Sequence, residues 1–155
     1  RGVQDYFKNV YGRETRFIPN GVDSPVLRPV ASMKDDYLLF LGRIVPEKGL
    51  HYLLDAYKDI QTDKRLVIAG GISHTEDYWE EIHQRAKADN RVLMTGFVQG
   101  ELLEELYSNA YIYVLPSDVE GMPISLLEAM SYGNCCLISD IAENVEVVKD
   151  AGESG

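Results

Sequence analysis

Tyr37-Leu38-Leu39-Phe40-Leu41-Gly42-Arg43-Ile44-Val45-Pro46-Glu47-Lys48-Gly49 is the stretch that decides the fold. Its first five residues are apolar without alternation, the mark of a strand buried on both faces. A link containing two glycines and two cations follows. Then comes 50–60, where Leu50, Leu53, Leu54 and Tyr57 keep the i, i+3, i+4, i+7 spacing of an amphipathic helix. The same unit recurs along the chain. Short apolar runs at 66–69, 92–94, 111–115 and 135–138 also read as buried strands. Helical spacing fills 77–88, 100–109, 124–132 and 142–148. Strands alternating with helices through short links predict an α/β fold: a doubly wound, mostly parallel Rossmann-like sheet with helices on both faces. In such a sheet ligands sit at the carboxyl ends of the strands, where the winding reverses. Chemistry is therefore sought just after each strand.

The 155 residues suffice for one hydrophobic core. Hydrophobic residues at 45% and charged residues at 26% exclude a disordered, collagen-like or disulfide-scaffold chain. The net charge of −10 sets an average field that repels nucleic acid and anionic lipid, so no nucleic-acid partner is expected. A local basic pocket still suits a small anion. Cys135 and Cys136 are adjacent, and neighbours in a strand point to opposite faces, so no bridge between them is expected. They read as buried, reduced thiols in a cytoplasmic setting. No apolar run has the length of a membrane span, and the N-terminus does not read as a signal peptide.

The first 34 residues break the pattern. A short helix is expected over 1–11 and a strand over 16–18, then the turn Pro19-Asn20-Gly21. Pro25, Pro29 and Ser32 make an extended connection. Residues 1–34 therefore read as the tail of a preceding domain plus a linker. Residues 35–155 read as the Rossmann-like domain, cut short at its C-terminal end.

Two segments after strands carry the chemistry. Gly42-Arg43-Ile44-Val45-Pro46-Glu47-Lys48-Gly49 combines close backbone approach with a fork-shaped and a point cation, which suits a phosphate at a helix N-terminus. It is neither a Walker A loop nor a G-x-G-x-x-G loop, and a turn with solvated charges also fits. Pro116-Ser117-Asp118-Val119-Glu120-Gly121-Met122-Pro123-Ile124 enters the helix that carries Glu128. Glu120 and Glu128 frame that helix start, where ligand hydroxyls can donate to carboxylates and free amides can meet an anion. The plainer alternatives are a solvated loop acid at Glu120 and a helix-dipole contact at Glu128. Pro123 suits the first helical position. Asp118-Val119-Glu120 as an acidic metal clamp is disfavoured, since no further ligands are evident, and no metal is expected. His51 and His83 read as helix-surface residues, His74 as a loop residue and Trp79 as packing. Thr95-Gly96-Phe97-Val98 fits a loop that reads a nucleobase, or equally Phe97 packing beneath the sheet edge.

Four segments, taken together and in order, resemble the C-terminal, donor-binding domain of retaining GT-B glycosyltransferases of family 4, the glycosyl transferases group 1. They are Ile18-Pro19-Asn20-Gly21-Val22-Asp23, Gly42-Arg43 with Lys48-Gly49, Gly96-Phe97-Val98, and Glu120-Gly121-Met122-Pro123 through Leu127-Glu128-Ala129-Met130, with its E-x7-E spacing. Gly133 and Ile138-Ser139-Asp140 continue the match. The resemblance implies transfer of a sugar from a nucleotide diphosphate-sugar, without a cofactor or metal. It implies that Arg43 and Lys48 hold the diphosphate and that Glu120 meets the transferred sugar. Gly42, Gly121, Met122, Pro123 and Ile124 would then line the donor site, Phe97 and Val98 the base loop, and Glu128 would bind the ribose. Met122 stands where relatives often carry an aromatic residue. The donor base stays open among UDP-, GDP- and ADP-sugars. The resemblance also implies an N-terminal acceptor domain beyond this chain, through which contact with the cytoplasmic membrane face is possible. This stretch alone is expected to be inactive. A nucleotide-sugar binding module without turnover and a GT-B nucleotide-sugar epimerase are the alternatives.

Overall fold

A computed structural model describes residues 2–32, 36–73 and 75–152. Arg1, the expected domain boundary at 34/35, His74 and the last three residues lie outside them. Among the described residues eleven α-helices and β-strands follow the expected order, with one 3-10 turn at Pro46–Lys48. They are α1 (Gly2–Tyr11), β1 (Tyr37–Leu41), α2 (Leu50–Lys58), β2 (Arg65–Ala69), α3 (Glu76–Lys87), β3 (Val92–Gly96), α4 (Glu101–Asn109), β4 (Ile112–Leu115), α5 (Ile124–Ser131), β5 (Cys136–Ile138) and α6 (Ala142–Gly152). No strand forms at 16–18: three residues with no neighbouring strand have nothing to pair with, and they run as irregular chain.

The five strands form one parallel sheet in the order β3-β2-β1-β4-β5. Leu39 and Phe40, Val67 and Ile68, and Tyr113 and Val114 each send one side chain to either face. Leu39, Val67 and Tyr113 join a core with Leu106, Tyr107, Leu126 and Ala129 of α4 and α5. Phe40, Ile68 and Val114 join a second core with Leu50, Leu53 and Leu54 of α2 and Ile82 of α3. Each fully buried aliphatic side chain contributes about 1.5–3 kcal/mol. This two-faced burial explains the unbroken apolar runs of β1, β2 and β4. It does not extend to the outer strands. Leu93 of β3 is 36% exposed and Leu137 of β5 58%. Both expectations of fully buried strands are corrected there, because an edge strand has a neighbour on one side only. The same edge position corrects the thiols. Cys135 is exposed and Cys136 half-buried, and both are free. Burial and the neighbouring Cys135 push the Cys136 thiol up to about 11.

Two glycine contacts set the shape of the strand ends. Gly49 has φ 67°, and a Cβ there would run into the Pro116 carbonyl. A Cβ at Gly70 would run into the Gly42 carbonyl. The Asp118 amide donates to the Glu47 carbonyl at 2.9 Å. The loops after β1 and β4 are thereby pressed together.

Candidate functional site

The chain lays down β1, β2 and β3 in one direction, then places β4 on the other side of β1. The winding reverses between β1 and β4, and the crevice at their carboxyl ends is where such a sheet takes a ligand. The residues singled out after these strands meet at that place. Lys48 Nζ lies 2.6 Å from Glu120 Oε1, although the two are 72 residues apart. Their side chains are only 14% and 5% exposed. Ser117 Oγ donates to the same carboxylate oxygen at 2.6 Å. Glu120 is thus no solvated loop acid. A charge pair this far from water persists only when its remaining hydrogen-bonding capacity is met, and the buried Ser117 supplies part of that.

Arg43 differs. It is exposed, and its side chain makes no hydrogen bond or ion pair among the described residues. It borders a small apolar cleft of about 190 Å³ with Gly42, Gly70, Gly71 and Phe97. The Phe97 ring is 76% exposed, so it does not pack beneath the sheet edge. Val98 is 8% exposed and belongs to the core, so only its backbone can face a ligand.

Glu128 looks elsewhere. Its Oε2 accepts the Tyr107 hydroxyl at 2.9 Å, and the same hydroxyl reaches the Ser125 carbonyl at 3.1 Å. Tyr107 is 1% exposed, and burial, with the nearby Tyr113 and Glu128, raises its ionisation well above the usual phenol range. Glu128 lines a cavity of about 330 Å³ with Ser24, Val26, Tyr107 and Tyr132. Tyr113, buried nearby, donates its hydroxyl to Ser125 Oγ at 2.8 Å. Burial raises the Tyr113 ionisation too, and both Glu120 and Glu128 add to that.

The segment between them is arranged as follows. Gly121 has open space where a Cβ would go, and Ile124 is 51% exposed. Pro123 is the N-cap of α5 rather than its first helical residue. Its carbonyl accepts the amides of Leu126 and Leu127 at 3.1 and 3.2 Å, which uses its fixed φ just outside the helix. Met122 is tied to the N-terminal segment. Asn20 donates its amide N–H to Met122 Sδ and its Nδ2 to the Met122 carbonyl, both at 3.1 Å.

Tyr107 and Asn20 are the residues sequence reasoning missed as site residues. Asn20 stood inside the Pro19-Asn20-Gly21 motif, which was a usable signal. Tyr107 carried only helical spacing. Asp118 is exposed, with the Tyr52 hydroxyl 3.4 Å away. His51 meets the Tyr78 hydroxyl at 2.9 Å, and His83 stacks on Trp79 at 4.6 Å. Both histidines are half-buried rather than on the surface. Among the described residues no group of three or more His, Cys, Asp or Glu is placed to hold a metal ion, and no helix is long and apolar enough to cross a membrane.

Fold and crevice define a Rossmann-like α/β domain with its polar side chains gathered at the switch point, the kind of domain that makes one half of a GT-B fold. The sequence model described as "Glycosyl transferases group 1" matches residues 28–155, and the chain belongs to that family. An uncharacterized glycosyltransferase of Methanocaldococcus jannaschii is 35% identical over 114 residues, 72% of this chain and 29% of the relative. The O-antigen chain mannosyltransferase B of Escherichia coli is 32% identical over 132 residues, 83% of this chain and 35% of the relative. The chain thus spans about a third of the length of these relatives. The solved sucrose-phosphate synthase of Thermosynechococcus elongatus superposes with TM-score 0.73 at 24% identity, over 90% of this chain and 39% of that one, a likeness of fold.

Proposed function

We propose that this domain is the C-terminal, donor-binding half of a family 4 retaining glycosyltransferase that moves a sugar from a nucleotide diphosphate-sugar to an acceptor. One observation carries the reading: Lys48 after β1 and Glu120 after β4 converge at the switch point. In the reaction the bond between the sugar and the diphosphate breaks, and a bond to the acceptor oxygen forms on the same face. The nucleoside diphosphate leaves with the bonding electrons, and its departing oxygen takes the proton of the acceptor hydroxyl. Arg43 and Lys48 offset its growing charge, in a crevice where such interactions are strong because water is scarce. Glu120, exchanging part of its bond to Lys48, accepts hydroxyls of the transferred sugar. Gly42, Gly121, Met122, Pro123 and Ile124 bring backbone close to sugar and phosphate. Phe97 and the Val98 backbone meet the base, and Glu128 binds the ribose. Metal-independent transfer is favoured by the same geometry: Glu120 is committed to Lys48 and Ser117, which leaves Asp118 without a partner acid for a clamp. The acceptor side of the cleft belongs to a second domain of the parent protein.

Calorimetric titration with UDP-, GDP- and ADP-sugars tests this. Arg43→Ala should weaken the bound nucleotide by about 10- to 100-fold, the value of one or two charge-assisted hydrogen bonds. Glu128→Ala should weaken it by a smaller factor. If both variants bind like the parent, the site is elsewhere.

A further inference from the structure

The irregular N-terminal segment does more than connect. We infer that residues 20–32 form part of the donor site, with Asn20 as the positioning residue that holds Met122. This rests on the donor-site reading above.

The segment crosses α4 and α5 and is fastened unequally. Its far end is clamped. The Ala31 and Ser32 amides donate to Glu105 Oε1 at 2.7 and 2.5 Å, and Glu105 is only 8% exposed. The Arg28 guanidinium meets Glu104 at 2.7 Å, and the Arg28 carbonyl accepts Asn109 Nδ2 at 3.1 Å. In the middle, the Val26 amide donates to the Tyr132 hydroxyl at 3.3 Å. There Ser24 and Val26 line the same cavity as Glu128 and Tyr107. The near end is held at Met122 by Asn20 alone, through two exposed bonds.

Those two bonds act on one residue from both sides. One fixes the thioether and the other the carbonyl. The Met122 carbonyl belongs to the peptide that leads into Pro123, the cap of α5. Its orientation sets where the free first-turn amides of α5 point. Gly121, beside it, has no side chain to stiffen the turn. Asn20 therefore supplies the stiffness that the loop from Glu120 to Pro123 lacks. The loop faces the sugar in the proposed reading, not the diphosphate cations. Losing Asn20 should thus be felt by the sugar and not by the nucleotide.

The experiment titrates the 155-residue chain with UDP-, GDP- and ADP-sugars and with the matching free nucleoside diphosphates. Asn20→Ala should weaken the preferred sugar nucleotide about fivefold. It should leave the free diphosphate within about twofold, and the melting midpoint unchanged within ~2 °C. Asn20→Asp, which keeps the size but presents an acceptor to the Met122 carbonyl, should not rescue. Asn20→Ala removes only the Nδ2 bond to the Met122 carbonyl. Should it lower the midpoint, Met122→Leu tests the other bond, since it removes the sulfur that accepts the Asn20 backbone amide, and it should show the same loss for the sugar nucleotide alone. If the parent chain binds both ligands and the variants shift both equally or neither, Asn20 positions nothing and only this inference falls. If the parent chain binds none of the ligands, the donor-site reading falls and takes this inference with it.

Discussion

The two sides of the crevice are built differently. On the side of β1, β2 and β3, the Arg43 side chain is exposed without a partner among the described residues, and Phe97 stands 76% exposed at a small apolar cleft. On the side of β4 and α5 the polar groups are committed. Glu120 is held by Lys48 and Ser117, Glu128 by Tyr107, and Met122 by Asn20. A ligand gains contacts at Arg43 and Phe97 without breaking any, whereas Lys48, on the same side, is already bonded to Glu120. On the second side a ligand must exchange contacts. Substitutions on the open side should therefore show in binding and hardly in stability. Substitutions on the committed side should show in both.

The strongest way to break this contrast is to separate the two sides. Gly49 joins them, with φ 67° and no room for a Cβ against the Pro116 carbonyl. Gly49→Ala meets both a left-handed backbone penalty and a clash with fixed backbone, together roughly 3–4 kcal/mol. For a chain of this size that lowers the melting midpoint by on the order of 10 °C. A melt within about 2 °C of the parent would show that the loops after β1 and β4 are not pressed together. Next comes the committed side itself. Glu120→Ala leaves Lys48, 14% exposed, without its carboxylate. Removing one partner of a pair so shielded should destabilise by about 3 kcal/mol. Lys48→Met combined with Glu120→Leu should recover part of that loss in chemical denaturation, since two apolar groups leave no charge stranded. If the double variant is as unstable as the sum of the singles, the pair is not the source of the loss.

How much of this was legible in the sequence follows from what each feature depends on. β1, α2 and the order of the remaining elements depend on local periodicity, and the pattern from Tyr37 to Tyr57 shows it directly. Which strands lie at the edge depends on topology. Leu93 and Leu137 therefore look as buried as Leu39 until the sheet order is known. Cys135 followed the same error. Arg16-Phe17-Ile18 has strand-forming residues but no partner strand, so propensity alone misled. Lys48 and Glu120 were each visible as candidates. Their mutual contact was not, because it closes a loop of 72 residues that only the β1–β4 pairing brings together. Asn20 lay in a recognisable motif, yet its contact with Met122 spans 102 residues.

Tyr107 sharpens the comparison at its finest scale, because it touches no proposed ligand and yet holds a group that does. As a helix residue it reads as core, and its ring is core. Its hydroxyl ties the Ser125 carbonyl to Glu128 across α4 and α5. Tyr107→Phe should cost about 1 kcal/mol, the loss of one buried hydrogen bond, and weaken nucleotide binding by only a few fold. A second readout separates the hydroxyl from mere packing. Burial raises the ionisation of Tyr107, Tyr113 and Tyr37 above their usual value of 10.0. Their stabilising share is complete below that value. It is lost as pH rises beyond it, because the unfolded chain then releases protons that the folded chain retains. Tyr107→Phe removes one of these groups, so the fall in stability above about pH 10 should become shallower than in the parent. An unchanged alkaline slope would mean that the Tyr107 hydroxyl is not shielded as described, and the orientation it gives to Glu128 would lose its basis.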